Sequence, residues 1–165
     1  MKLNNTSLGA LFALCLCSGA LNAATVPYSF DVDVDSGPRN GNLYSGDFSY
    51  DDATLTGFGE EYVALDSFNF SFESNALTLV DDTFAEAVFY DGDFLGISYN
   101  AATTDFSVSF IPGFFDLSEA YFAYDLAGDA GFGTLNVTAV PVPAALPLLL
   151  SGLGLFGLQR RRRSL

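Results

Sequence analysis

Ser67-Phe68-Asn69-Phe70-Ser71-Phe72 alternates small polar and aromatic residues without a break. A two-residue period puts every ring on one face of an extended chain, so this stretch predicts a β-strand with one side in a core. The same alternation recurs upstream, where Tyr28, Phe30, Val32 and Val34 interleave with Ser29, Asp31, Asp33 and Asp35. Gly37-Pro38-Arg39-Asn40-Gly41-Asn42 then reads as a turn. A strand over 43–50 follows it, with Tyr44, Phe48 and Tyr50 on one face. Downstream, short strands are expected over 76–80, 84–90, 94–99, 106–110, 121–126 and 133–140, with Asp91-Gly92-Asp93 as a hairpin turn. The alternative for residues 118–124 is one helical turn. About nine short strands and no convincing amphipathic helix predict an all-β fold, a single antiparallel β-sandwich or jelly-roll-like domain over residues 24–139.

Charge narrows the function. Among the six basic residues, only Arg39 lies in this strand-rich body, against 20 Asp and Glu, for a formal charge of −19. Such a surface repels phosphate backbones and excludes nucleic acid as a partner. The chain has no His and no Trp, and its two cysteines, Cys15 and Cys17, lie near the N-terminus.

Both ends of the chain read as targeting segments. Lys2, an apolar run over 8–20 and the small residues Ala23 and Ala24 make residues 1–23 a secretory signal peptide, implying passage through the Sec translocon and cleavage by signal peptidase after Ala23. Leu14 and Leu16 precede the two cysteines where a lipobox would have Gly or Ala, so no lipid attachment is expected. Both cysteines then leave with the signal, and the exported protein has neither disulfides nor thiol chemistry. At the other end, Val140-Pro141-Val142-Pro143-Ala144 opens an uncharged run that continues to Leu158, and Arg160, Arg161, Arg162 and Arg163 follow Gln159. The run over 142–158 reaches the short end of the ~17–25 residues that cross a bilayer. A positive cluster stays on the cytoplasmic side, so the body is expected outside and residues 160–163 inside.

These last 26 residues resemble the PEP-CTERM group of bacterial C-terminal sorting signals, and most closely its VPLPA-type variant. The matching residues are Val140, Pro141, Pro143 and Ala144, the Leu- and Gly-rich segment, and the arginines 160–163. Val142 stands where that variant has Leu, and Pro147 interrupts the apolar run. The resemblance implies recognition by an exosortase-type membrane transpeptidase, cleavage near 141–144, and transfer from a transient inner-membrane anchor to the cell surface or medium. It also implies association with exopolysaccharide or biofilm.

Candidate chemistry in the body is sparse. Asp31, Asp33 and Asp35 alternate along a strand, and Asp91 and Asp93 flank a glycine. These are candidate Ca2+ ligands, because that hard cation takes six to eight oxygens. An EF-hand is excluded, since Ser36 and Asn42 occupy the positions that would need Gly and Glu. The pairs Asp51-Asp52, Glu60-Glu61 and Asp81-Asp82 fall in expected turns and read first as solvated. Without His or Cys the usual triads and zinc sites cannot be built. Paired carboxylates could hydrolyse glycosides, but nothing selects two of the 20. Tyr44, Tyr50, Tyr62, Tyr90, Tyr99, Tyr121 and Tyr124 could stack on sugars, and are expected mostly at the core or its edge. The sequence therefore predicts a non-enzymatic exported surface or matrix protein without a cofactor, and, as the alternative, a Ca2+-dependent adhesive or carbohydrate-binding module.

Overall fold

A computed structural model describes residues 25–141. The signal peptide expected over 1–23 and the membrane-spanning run expected over 142–158 lie outside the described residues. Nine strands form: β1 (Thr25–Val34), β2 (Leu43–Asp51), β3 (Glu60–Phe72), β4 (Asn75–Thr78), β5 (Glu86–Tyr90), β6 (Asp93–Ala102), β7 (Phe106–Ile111), β8 (Tyr121–Leu126) and β9 (Asp129–Ala139). Among the described residues the helical content is three short 3-10 turns, at Gly37–Arg39, Asp52–Thr54 and Leu117–Glu119. The fold is all-β, and the helical alternative for 118–124 reduces to the last of these turns before β8.

The sandwich or jelly-roll expectation is corrected. Every pairing is antiparallel, and β1 pairs with β2 along one edge and with β9 along the other. Because β2 also pairs with β3, the sheet closes through β1, β2, β3, β5, β6, β7, β8 and β9. Each strand of this ring lies beside its neighbours in sequence, so the body is an up-and-down barrel. Jelly rolls and most sandwiches are built from Greek keys, and none occurs among the described strands, whose sheet closes on itself instead. Alternation along single strands is the same in both architectures; the pairing of the first strand with the last decides between them.

β4 and β5 follow one another along β3, pairing with 69–72 and 60–64 respectively. The Asp82 carboxylate accepts from the Asn100 amide of β6 at 2.7 Å, tying the loop between β4 and β5 to the wall. Three hairpins have two-residue turns with both residues at positive φ: Glu73-Ser74, Asp91-Gly92 and Ala127-Gly128. That is the type I′ geometry, whose twist matches the flanking strands.

Strand directions divide the loops between two rims. The upper rim carries 35–42, 73–74, 103–105 and 127–128. The lower rim carries 52–59, 91–92 and 112–120, together with the start of β1 and the end of β9.

Eight strands enclose a space that side chains can fill, and here aromatic rings fill it. Phe30, Phe48, Phe68, Phe70, Phe72, Tyr99, Phe110 and Phe122 are all buried. Phe30 lies 5.9 Å from Phe68, 5.6 Å from Phe70 and 5.2 Å edge-on from Phe110, spacings within the favoured range for aromatic pairs. Gly46 sits between Phe30 of β1 and Phe70 of β3 in the ladder. The missing side chain leaves the room into which Phe30 leans: a Cβ there would lie 2.3 Å from its ring and 2.6 Å from the Asn69 carbonyl oxygen.

Gly46→Ala should therefore cost roughly 1–3 kcal/mol, because neither the packed ring nor the backbone oxygen can move away. Ser45→Ala, one residue along and on the outer face, should shift stability by less than about 0.5 kcal/mol. Urea unfolding midpoints of the two variants check this.

Candidate functional site

The acidic turns hold their own backbones. Glu61 accepts from the Thr56 and Gly57 amides at 2.7 and 2.8 Å. Asp91 accepts from the Gly59 amide, Asp81 from Thr78, Asp82 from Phe84, and Asp125 from Gly128. Asp51 and Asp116 cap the short turns that follow them, through the amides of Ala53 and Ser118. Charge-assisted bonds of this kind satisfy donors that no strand partner reaches. They also favour the ionised carboxylate. The Thr56 and Gly57 amides hold Glu61 below its ordinary pKa, and the Ser118 hydroxyl and amide do the same for Asp116. The turns expected to be merely solvated thus have an internal use.

Arg39 organises the upper rim. Its Nε and Nη2 donate to the two Glu73 oxygens at 2.7 and 2.8 Å, a bidentate pair. Tyr44 donates its hydroxyl to Glu73 at 2.8 Å. The Tyr124 hydroxyl accepts from the Arg39 amide and donates to the Ser36 carbonyl, at 2.9 Å each. One cluster therefore joins the β1–β2 loop to the β3–β4 turn and to β8. It also steadies Glu73 in the left-handed conformation, which is uncommon for a residue with a side chain. The hydrogen bonds from Arg39, and then Tyr44, hold the Glu73 carboxyl below its ordinary value of 4.5.

On the outer wall, an open groove of about 430 Å3 runs between the β1 end, the 118–121 turn and β9. Tyr121 and Phe132, both partly exposed, face each other there with ring centroids 6.1 Å apart. Asp35, Ser118, Glu119 and Thr134 supply polar edges. Asp35 Oδ2 accepts from the Thr134 hydroxyl, and Glu119 Oε2 from the Phe114 and Phe115 amides.

The sequence candidates fall in separate places. Asp31, Asp33 and Asp35 line the exposed face of β1 and its end, where Asp31 accepts from Ser45 and Asp35 from Thr134. Asp91 and Asp93 sit at the lower-rim hairpin, with Asp91 engaged by Gly59. The two sets are not brought together, and among the described residues no group of three acids is arranged to hold a metal ion. Tyr50, Tyr99 and Tyr124 are core residues as expected, whereas Tyr62, Tyr90 and Tyr121 are exposed. Burial raises the Tyr50 and Tyr99 phenols well above the ordinary 10.0, so neither serves as an acid or base near neutrality. Val140 extends the β9 edge by donating to the Pro27 carbonyl at 2.9 Å, and exposed Pro141 follows. Val142, Pro143, Ala144 and the arginines 160–163 lie outside the described residues. Among the described residues, no helix is long and apolar enough to cross a membrane.

Two features escaped sequence reasoning. Arg39, alone among so many acids, had to pair, but its partner is 34 residues away and only the barrel register selects Glu73. Phe58, Phe114 and Phe115 are exposed at the lower rim, within Gly57-Phe58-Gly59 and Pro112-Gly113-Phe114-Phe115. Their signal was a large ring placed off the strand period and beside glycine.

A carboxyl whose folded pKa is depressed stabilises above its unfolded pKa, and that contribution fades as pH falls through the folded value. Glu73→Gln should accordingly lower the urea midpoint at pH 7, and its deficit relative to wild type should shrink below the ordinary carboxyl range. Paired unfolding curves at neutral and acid pH measure the difference. Comparison of the chain with protein-family models, with curated proteins and with solved structures finds no match.

Proposed function

We propose that this chain is an exported, non-enzymatic surface or extracellular-matrix protein. In this reading an exosortase-type transpeptidase sorts it through its C-terminal signal, and it works in association with exopolysaccharide or biofilm. The observation that carries the reading is the order of the tail: Val140 to Ala144, an apolar run to Leu158, and the arginines 160–163. The barrel supports it in two ways. Its interior is packed with its own rings, and many of its carboxylates act on its own turns. Such a body suits a durable display unit, stable without disulfides and surrounded by negative charge.

Intact mass and C-terminal peptide mapping of the native protein, from surface and medium fractions, test the proposal. The mature chain should lack residues 1–23 and everything beyond about Pro143 (cleavage and trimming there leave Val140 in the barrel edge). A mature chain that retains the arginines 160–163 would overturn sorting and leave a single-pass anchored ectodomain.

The wall groove favours a second reading, a carbohydrate-binding module. Sugar rings present C–H faces that stack on aromatics and hydroxyls that donate to carboxylates, and this groove offers both through Tyr121, Phe132, Asp35 and Glu119. Its charge fits a neutral or cationic polymer. Under this reading, replacing both Tyr121 and Phe132 by Ala should abolish retardation of the protein in gels containing such a polysaccharide, with an unchanged melting temperature. Retardation that requires micromolar Ca2+ would make it the Ca2+-dependent module, whereas equal migration of wild type and variant removes the groove from consideration.

A further inference from the structure

We infer that the lower rim is a bilayer contact: Phe58, Phe114 and Phe115 rest in the interface of the membrane that the C-terminal run crosses. This rests on the reading of residues 142–158 as a membrane anchor. The three rings are among the most exposed large apolar side chains described, at 81%, 79% and 76%. They come from two loops distant in sequence, and antiparallel topology brings both loops to the same end of the barrel.

Neither loop is left to collapse onto the wall. Glu61 gathers the Thr56 and Gly57 amides behind Phe58, with Gly57 and Gly59 both at positive φ. Glu119 gathers the Phe114 and Phe115 amides at 3.0 and 2.8 Å, and their rings pack edge to face at 4.7 Å. The same device, a carboxylate behind an aromatic tip, is thus built twice at one rim. Holding rings out into water opposes the hydrophobic effect unless something apolar receives them.

The course of the chain says what receives them. β9 ends at this rim, and Val140 is still bonded to Pro27 of β1. Only Pro141 separates Val140 from the start of the apolar run at Val142. With at most about 3.6 Å of reach per residue, the run begins within roughly 7 Å of the barrel edge. A bilayer entered at that point lies directly against the rim, where aromatic side chains partition favourably into the headgroup layer. The exposed acids Asp52, Glu60, Asp91 and Asp116 share the rim, so the contact suits a zwitterionic leaflet better than an anionic one.

The absence of tryptophan supplies the test. Phe58→Trp, Phe114→Trp, Phe115→Trp, Leu43→Trp at the upper rim and Leu150→Trp in the tail each introduce a single reporter into the full chain. The variants are reconstituted in phosphatidylcholine vesicles whose acyl chains are brominated near the headgroup or, in a second set, near the chain ends, and melting temperatures confirm that the barrel is intact. Emission at 58, 114 and 115 should be blue-shifted and quenched by the brominated lipid, that at 150 quenched, and that at 43 unaffected. Quenching at 150 with none at 58, 114 or 115 would overturn the rim contact and leave the anchor standing. No quenching at 150 would overturn the anchor, and the rim contact with it. A blue shift at the rim that grows with protein concentration, without lipid quenching, would assign these rings to a second copy of the chain and overturn the lipid contact.

Discussion

The barrel depends on filling a closed interior with rings. An eight-stranded barrel leaves a central space that collapses or floods unless side chains of matching volume occupy it. Phe30, Phe68, Phe70 and Phe110 meet there from β1, β3 and β7, and Tyr99 stacks on Phe68 at 4.0 Å. Rings of this size fit only because one strand yields space, and Gly46 of β2 does so between Phe30 and Phe70. The buried and half-buried polar side chains are matched as well. Ser49 and Ser67 share a hydrogen bond at 2.7 Å, the Tyr28 and Tyr50 hydroxyls share another, and Tyr99 donates to the Thr78 carbonyl. Among the described residues no buried side-chain nitrogen or oxygen lacks a partner. A body without disulfides rests on this packing.

The sequence made the strands legible and their closure illegible. Alternation is a local property, so 28–34 and 68–72 were readable from the residues alone. The first half of β3 was missed because its period slips. Val63 and Leu65 face inward at odd positions, while Phe68, Phe70 and Phe72 do so at even ones. The slip is a bulge: Ser49 pairs with Ser67 but Tyr50 pairs with Leu65, which leaves Asp66 unmatched. Asp91-Gly92 announced its hairpin by composition. Glu73-Ser74 makes the same kind of turn without glycine, and its geometry is supported by a long-range contact with Arg39 that no local pattern encodes. Closure itself rests on β1 finding β9, a pairing of residues such as Phe30 and Val137 more than a hundred positions apart.

Candidate sites divide along the same line. The proposed sorting signal is linear, and reading it from order and composition needs no fold. The wall groove and the lower rim exist only once distant segments meet, Asp35 with Phe132 and Phe58's loop with Phe115's. The acidic turns are intermediate. Their residues were conspicuous, but their purpose depended on seeing where the amides of Gly59 and Asn100 point.

The two rims differ in chemistry, and this difference gives the barrel a direction. At the upper rim, the single arginine of the described body is used to lock a loop, a hairpin and β8 into one polar cluster, with tyrosine hydroxyls completing it. At the lower rim, carboxylates hold loops whose tips are apolar, and both ends of the described chain leave there. An even number of antiparallel strands requires the first and last strands to begin and end at the same rim. Sequence order therefore brings both ends of the described chain, Thr25 and Pro141, to one rim. The wall groove belongs to neither rim, because Tyr121 and Phe132 are exposed on the wall of β8 and β9 rather than at its end.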